Sequence, residues 1–278
     1  MAIREIEISS WQTFGSHIDE LSQGLLEHAW FRGQSEDWPL RPCLLRHLRR
    51  RGVTNPVVAL EIERVATHYF RQAAHLYLPT ARVLQLSEAE EGRQFEGHPF
   101  GMAAWWTIMR HHGAPTRLLD WTLSPFVAAY FASESPLDDK RRPAGIVWVL
   151  NFRALRLAMD AAYARDGATR ILDTLMIAPD APKDLLPLFH NMPTERMLMQ
   201  QGCFMLCRNV LGDHGEIIQE AVPNAVTRLV IPDSVKAEFR RRLQQMNLTA
   251  HSMFGGLDGL GRHTDETVAR LVDQFAPA

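Results

Sequence analysis

Cysteine is scarce in this chain: three residues in 278, too few for a disulfide framework and fitting for a reducing compartment. Cys203 and Cys207 are the only close pair. The apolar run between them reads as a strand, where four residues cover roughly 13 Å, too far for a disulfide, so both read as small core residues. An excess of charge is also lacking. With 30 Lys+Arg against 32 Asp+Glu the formal net charge is −2, which leaves no global basic field to hold nucleic acid and makes any such contact local. No apolar run reaches the ~18 residues of a membrane span, and Met1 to Glu7 has no apolar segment like that of a secretory signal. These absences predict a soluble, cytoplasmic protein. His-Glu-x-x-His, Cys-x-x-Cys, Gly-x-Ser-x-Gly and the Walker phosphate loop are all missing, so the common metal, redox, serine-hydrolase and P-loop functions lose their support.

What is present is an ordinary globular composition, 46% hydrophobic, with two informative stretches. The first is Trp30-Phe31-Arg32-Gly33-Gln34. Here a guanidinium leaves an apolar strand end, and Gly33 permits a sharp backbone turn. Arg32 keeps its charge and can grip a phosphate through two parallel hydrogen bonds; a surface or interdomain ion pair is the other role open to it. The second stretch runs from Trp105 to Ala132. Gly113 ends a helix, Pro115 prevents its continuation, Arg117 to Trp121 suits a short buried strand, and Ser124-Pro125 caps the next helix. Polar residues gather at the two junctions: His112, Thr116 and Arg117 on one side, Asp120, Thr122 and Ser124 on the other. Two accounts stand side by side, an Arg117–Asp120 internal pair with hydroxyl caps, or a composite ligand site with Arg32.

Elsewhere the periodicity predicts an amphipathic helix over 9–26, a basic run at 41–51 that either touches phosphates or forms a solvated helix face with Leu44, Leu45 and Leu48 inward, and a long helix over 57–76. Residues 78–99 and 136–143 read as polar loops, 145–150 as an apolar strand, and 153–190 as helix and loop broken by Pro179, Pro182 and Pro187. Strands are predicted at 203–208, 215–221 and 225–231, then a basic helix to about 246 and a final helix over 265–275. With no internal repeat or low-complexity linker, one α+β domain spanning 1–278, with its core at about 11–261, is expected.

Phe31-Arg32-Gly33-Gln34, the long run His111 to Thr122 with Ser124-Pro125, and Gln200-Gln201-Gly202-Cys203-Phe204 together resemble the FRG domain family. That resemblance implies a bacterial or phage-linked cytoplasmic domain, in the setting of a toxin or phage-defence effector. At the level of fold the arrangement is similar to ADP-ribosyltransferases of the Arg-Ser-Glu type, which implies a split mixed sheet flanked by helices. In that scheme Arg32 holds an NAD phosphate together with Gly33 and Gln34. His112, Thr116, Arg117, Asp120, Thr122, Ser124 and Gln201 shape the pocket, and Glu195 supplies the carboxylate that stabilises an oxocarbenium ion. Glu195 departs from the paired Glu-x-Glu or Gln-x-Glu of the transferases, because it sits beside Arg196; a surface acid paired with Arg196 is its alternative role, and Gln201 contacts a ligand or caps a turn. The functions in view are an NAD-using transferase or glycohydrolase whose acceptor macromolecule is open, a nucleotide- or phosphate-binding module without catalysis, and a protein-interaction domain using the same cleft.

Overall fold

A computed structural model of the chain describes residues 3–22, 28–79, 101–134, 142–166, 178–188 and 194–275. The elements run β1 (Arg4–Glu7), α1 (Trp11–Ser22), β2 (Ala29–Gln34), α2 (Cys43–Arg50), α3 (Pro56–Ala74), α4 (Gly101–His111), β3 (Leu118–Thr122), α5 (Pro125–Ala132), β4 (Gly145–Asn151) and α6 (Phe152–Asp166). They continue with β5 (Leu185–Leu188), α7 (Glu195–Met199), β6 (Gly202–Cys207), α8 (His214–Ala221), β7 (Val226–Ile231), α9 (Asp233–Gln245), α10 (Ala250–Phe254) and α11 (Gly256–Phe275). The seven strands form one open mixed sheet in the order β1-β7-β4-β2-β3-β6-β5. Only β1 and β7 pair in parallel; the other neighbours are antiparallel.

Period-two alternation assigns the two faces of this sheet. Phe31, Val147, Val149, Leu229 and Ile231 meet α1, α5, α9 and α10 on one side. Trp30, Ile146, Trp148, Leu150 and Val226 meet α6 and α8 on the other. Helices α4 and α7 cover β3 and β6 through Trp106, Met109, Met197, Phe204 and Leu206. The α+β class and the helix-flanked mixed sheet expected from the sequence are what the chain forms. Among the described residues no helix is long and apolar enough to cross a membrane.

Several local expectations need correction. Residues 214–221 are a helix, where 215–221 read as a strand. Asp213 caps it by accepting from the Gly215 and Glu216 amides, and its buried residues His214, Ile217 and Ile218 fall at the three- and four-residue spacing of one helix face. Residues 185–188 form a strand despite Pro187, because β5 lies at the end of the strand order, where a missing ladder donor is tolerated. The last helix starts at Gly256, not near 265. The polar loops expected at 78–99 and 136–143 lie largely outside the described residues. Gly33 does not turn the chain either: β2 continues through it, with Gly33 opposite Val147. Its lack of a side chain serves close approach, as a β-carbon there would lie 1.8 Å from the Ala128 carbonyl oxygen of α5.

One feature of the sheet creates the site. β2 pairs with β4 along its whole length, yet its register with β3 consists of a single pair, Phe31 opposite Thr122. The sheet opens beyond that pair, and side chains occupy the gap.

Candidate functional site

Arg32 bridges the opening between β2 and β3. Its Nη1 donates to the Asp120 carbonyl oxygen at 2.6 Å and reaches the Asp120 carboxylate at 3.4 Å, so a guanidinium stands where a ladder hydrogen bond would otherwise join the strands. Arg110, one residue before the end of α4, grips the same carboxylate more fully. Its Nε lies 3.1 and 2.9 Å from the two oxygens and its Nη2 lies 2.7 Å from Oδ2. Burial opposes ionisation of Asp120, but the charges of Arg110 and Arg32 together outweigh it and hold the carboxyl at about 2. Burial lowers the Arg32 pKa to about 10 with help from Arg110 and Arg46, and Asp120 offsets only part of that fall.

This cluster lines a cleft of about 800 Å³, in the size range of small-molecule sites. Two more arginines enter the cleft from C-terminal elements. Arg196 of α7 donates from Nη1 to the His111 carbonyl oxygen at 2.9 Å, and its guanidinium lies 4.6 Å from the centroid of Phe254. Arg262 of α11 lies 4.2 Å from the same centroid. Neither has a carboxylate at ion-pair distance among the described residues. Burial lowers the Arg196 pKa as well, with Arg262 and Arg110 adding to the fall against Asp120. The Nε atoms of Arg32 and Arg196 are buried and without a hydrogen-bond partner.

The structure sorts the sequence candidates into three groups. Arg32, Gly33, His112, Asp120 and Thr122 line the cleft. Thr122 is already engaged: its hydroxyl donates to the Gln200 carbonyl at 2.6 Å and accepts from the Ser124 amide at 3.0 Å. Gln34, Thr116 and Ser124 are buried in structural roles. Gln34 accepts from Trp148 Nε1 at 2.6 Å, the Thr116 hydroxyl accepts from the Leu118 amide at 3.3 Å, and Ser124 caps α5 at the Val127 amide. Arg117, Glu195 and Gln201 lie outside the cleft lining.

Arg117 is the largest departure from expectation. It does not pair with Asp120 and does not reach the cleft; it is 1% exposed. Its Nε donates to Glu63 Oε1 of α3 at 2.8 Å, its Nη2 donates to Glu63 Oε2, and its Nη1 donates to the Arg208 carbonyl at 2.6 Å. The partner sits 54 residues upstream on α3, so sequence proximity favoured the wrong acid. Glu195 is exposed at the first position of α7, and Gln201 is exposed with φ 45°, its carbonyl accepting from Leu123. The amide that faces the cleft is Gln200, whose Nε2 donates to the Met253 carbonyl at 2.9 Å. Sequence reasoning missed Arg110, Arg196, Phe254, Asp258 and Arg262. The Arg110-to-Asp120 spacing across the Gly113 turn was the one local signal for any of them.

Comparison of the chain with curated proteins and with solved structures finds no match. The family model described as the FRG domain matches residues 27–141, the segment that carries Arg32, Arg110 and Asp120.

Proposed function

We propose that the cleft binds a phosphate-bearing nucleotide, with NAD as the dinucleotide that the transferase analogy nominates. The observation that carries this reading is the charge balance of the lining: four arginines, 32, 110, 196 and 262, against two aspartates, 120 and 258. Two of the arginines are committed to Asp120, while Arg196 and Arg262 have no carboxylate partner among the described residues. Planar guanidinium groups match the geometry of phosphate oxygens, and a cleft walled by protein strengthens such contacts over those in water. The rings of Phe131 and Phe254, edge to face at 6.0 Å, give an aromatic base a surface to rest on.

ADP-ribosyl transfer or NAD hydrolysis is the second reading. It asks for a carboxylate beside the nicotinamide ribose to offset oxocarbenium charge. Glu195 is exposed and outside the lining, so within the cleft this role falls to Asp120, held ionised, or to Asp258 of α11. The toxin or phage-defence role that the family resemblance implies depends on such turnover. A reducing, cytoplasmic setting belongs to the same reading, with Cys203 and Cys207 buried as free thiols in β6.

Thermal melts with ADP, NAD and adenosine test the binding reading. ADP and NAD should raise the melting temperature and adenosine should not. Arg196→Ala and Arg262→Ala should each weaken the response by roughly ten- to a hundredfold in affinity, as expected for a lost charge-assisted hydrogen bond of about 1.5–3 kcal/mol. No shift with any phosphate-bearing nucleotide would overturn it, and nicotinamide release from NAD separates the enzyme from the binding module.

A further inference from the structure

Between Leu40 and Leu60 the chain contains no acidic residue and five arginines: 41, 46, 49, 50 and 51. Two are neutralised by α8. Arg41 Nε pairs with Asp213, and Arg49 Nη1 lies 3.2 Å from Asp213 and 3.4 Å from Glu216. Arg46, Arg50 and Arg51 are exposed and form no ion pair among the described residues. Arg46 and Arg50 stand four apart on α2, which is one side of a helix, while Leu44, Leu45 and Leu48 anchor the other side in the interior.

This basic face adjoins the cleft. The Leu44 amide donates to the Thr116 carbonyl at 3.1 Å, which fixes the first turn of α2 against the α4–β3 connection where His112 and Gly113 line the cleft. Cys43 lies within electrostatic reach of Arg110, and Arg46, nearly one turn further along, within reach of Arg32. A line of positive charge therefore leaves the cleft along α2, on a protein whose formal net charge is −2.

We propose that the macromolecule this cleft serves is a single-stranded nucleic acid, with one nucleotide seated in the cleft and the adjoining backbone held by Arg46, Arg50 and Arg51. The proposal rests on the reading of the cleft as a nucleotide site. A polyanion fits because the exposed charges follow one another without intervening acids. A single strand fits better than a duplex because a cleft of about 800 Å³ admits a splayed nucleotide and not a paired one. Nucleic acid fits better than an acidic peptide because the cleft adds Phe131 and Phe254 beside two guanidinium groups, the combination of stacking surface and cation on which unpaired bases rest.

The test is fluorescence anisotropy of a short, labelled single-stranded RNA across a salt series, with the wild-type chain and an R46A/R50A/R51A variant, and ADP-dependent melting of both proteins in parallel. Each phosphate neutralised on a single strand contributes about 0.7 to the slope of log affinity against log salt. The expected result is RNA binding whose slope falls by about 2 in the variant, with the ADP response unchanged. The proposal is overturned if the wild-type chain does not bind the strand or the slope is unaltered. It is also overturned if duplex RNA binds more tightly, or if poly-aspartate competes equally. In each of those cases an intact ADP response leaves the cleft reading standing, whereas loss of both signals removes the two together.

Discussion

Gly33 of β2 and Ala128 of α5 approach so closely that a β-carbon on the glycine would lie 1.8 Å from the alanine's carbonyl oxygen and 2.9 Å from the Ala132 amide nitrogen. Both obstacles are backbone, so no side-chain rotation relieves them. Gly145 repeats the relationship on β4, where a β-carbon would lie 1.9 Å from the Ala132 carbonyl oxygen. Helix α5 thus rests on two glycines of adjacent strands, and its N-terminal end stands beside the cleft at Val127.

Gly33→Ala should push α5 off the sheet. The expected cost is about 3 kcal/mol or more, at or above the usual range for overpacking, with a melting temperature lower by roughly 6 °C or more. Chemical denaturation of the purified variant checks this; a variant as stable as the parent would show that α5 shifts freely.

Arg117 and Glu63 are a buried pair, at 1% and 5% exposure. Removing one partner should be far worse than removing both. Arg117→Ala strands a buried carboxylate and should cost about 3–5 kcal/mol, whereas R117M/E63M should recover most of that loss. Nucleotide-dependent stabilisation should persist wherever the protein folds, since Arg117 is outside the cleft. Equal destabilisation by the single and double variants would contradict the pairing.

Asp120 links stability to pH. Its folded-state pKa, at about 2, is below the ordinary value of ~3.9, so its ion pairs contribute stability that is fully present above pH ~4. That stability is lost as pH falls toward 2, because the unfolded chain takes up the proton first. Urea unfolding measured across this window should show a slope that Asp120→Asn reduces. The same variant leaves Arg32 and Arg110 without their shared carboxylate, and nucleotide affinity at neutral pH should rise if both guanidinium groups then turn to the ligand's phosphates.

Glu195 is the acid that the transferase analogy singled out, and its exposed position predicts the opposite of a catalytic role. Glu195→Gln should leave ADP-dependent melting intact, together with any nicotinamide release the parent protein shows. Loss of turnover at unchanged stability would restore the carboxylate to the mechanism and require α7 to rotate into the cleft.

Much of this architecture was written in local pattern. Trp30-Phe31 and the 145–150 run alternate between the two faces of a strand, and Ser124-Pro125 specifies a helix start by cap and first-turn chemistry. The inward set Leu44, Leu45 and Leu48 follows from helical spacing alone. Arg32 and Asp120 could be named as polar residues on otherwise apolar strands. That they share one site was one of two accounts the sequence left open; their direct contact across 88 residues depends on β2 and β3 sharing only the pair Phe31–Thr122. Strand neighbours are chosen by the packing of the whole sheet. Arg117 shows the limit most clearly: three residues before Asp120 in sequence, it lies over the Trp106 ring and pairs with Glu63 of α3 in the interior. The same holds for Arg196 and Arg262, which reach the cleft only because α7, α10 and α11 fold back over it. Local sequence determined most of the helices and strands and which faces are apolar, since those depend on near-neighbour sterics and periodicity, though not at 185–188 and 214–221. Which charges share a cleft was decided by tertiary structure, since buried charges find partners in space and not along the chain.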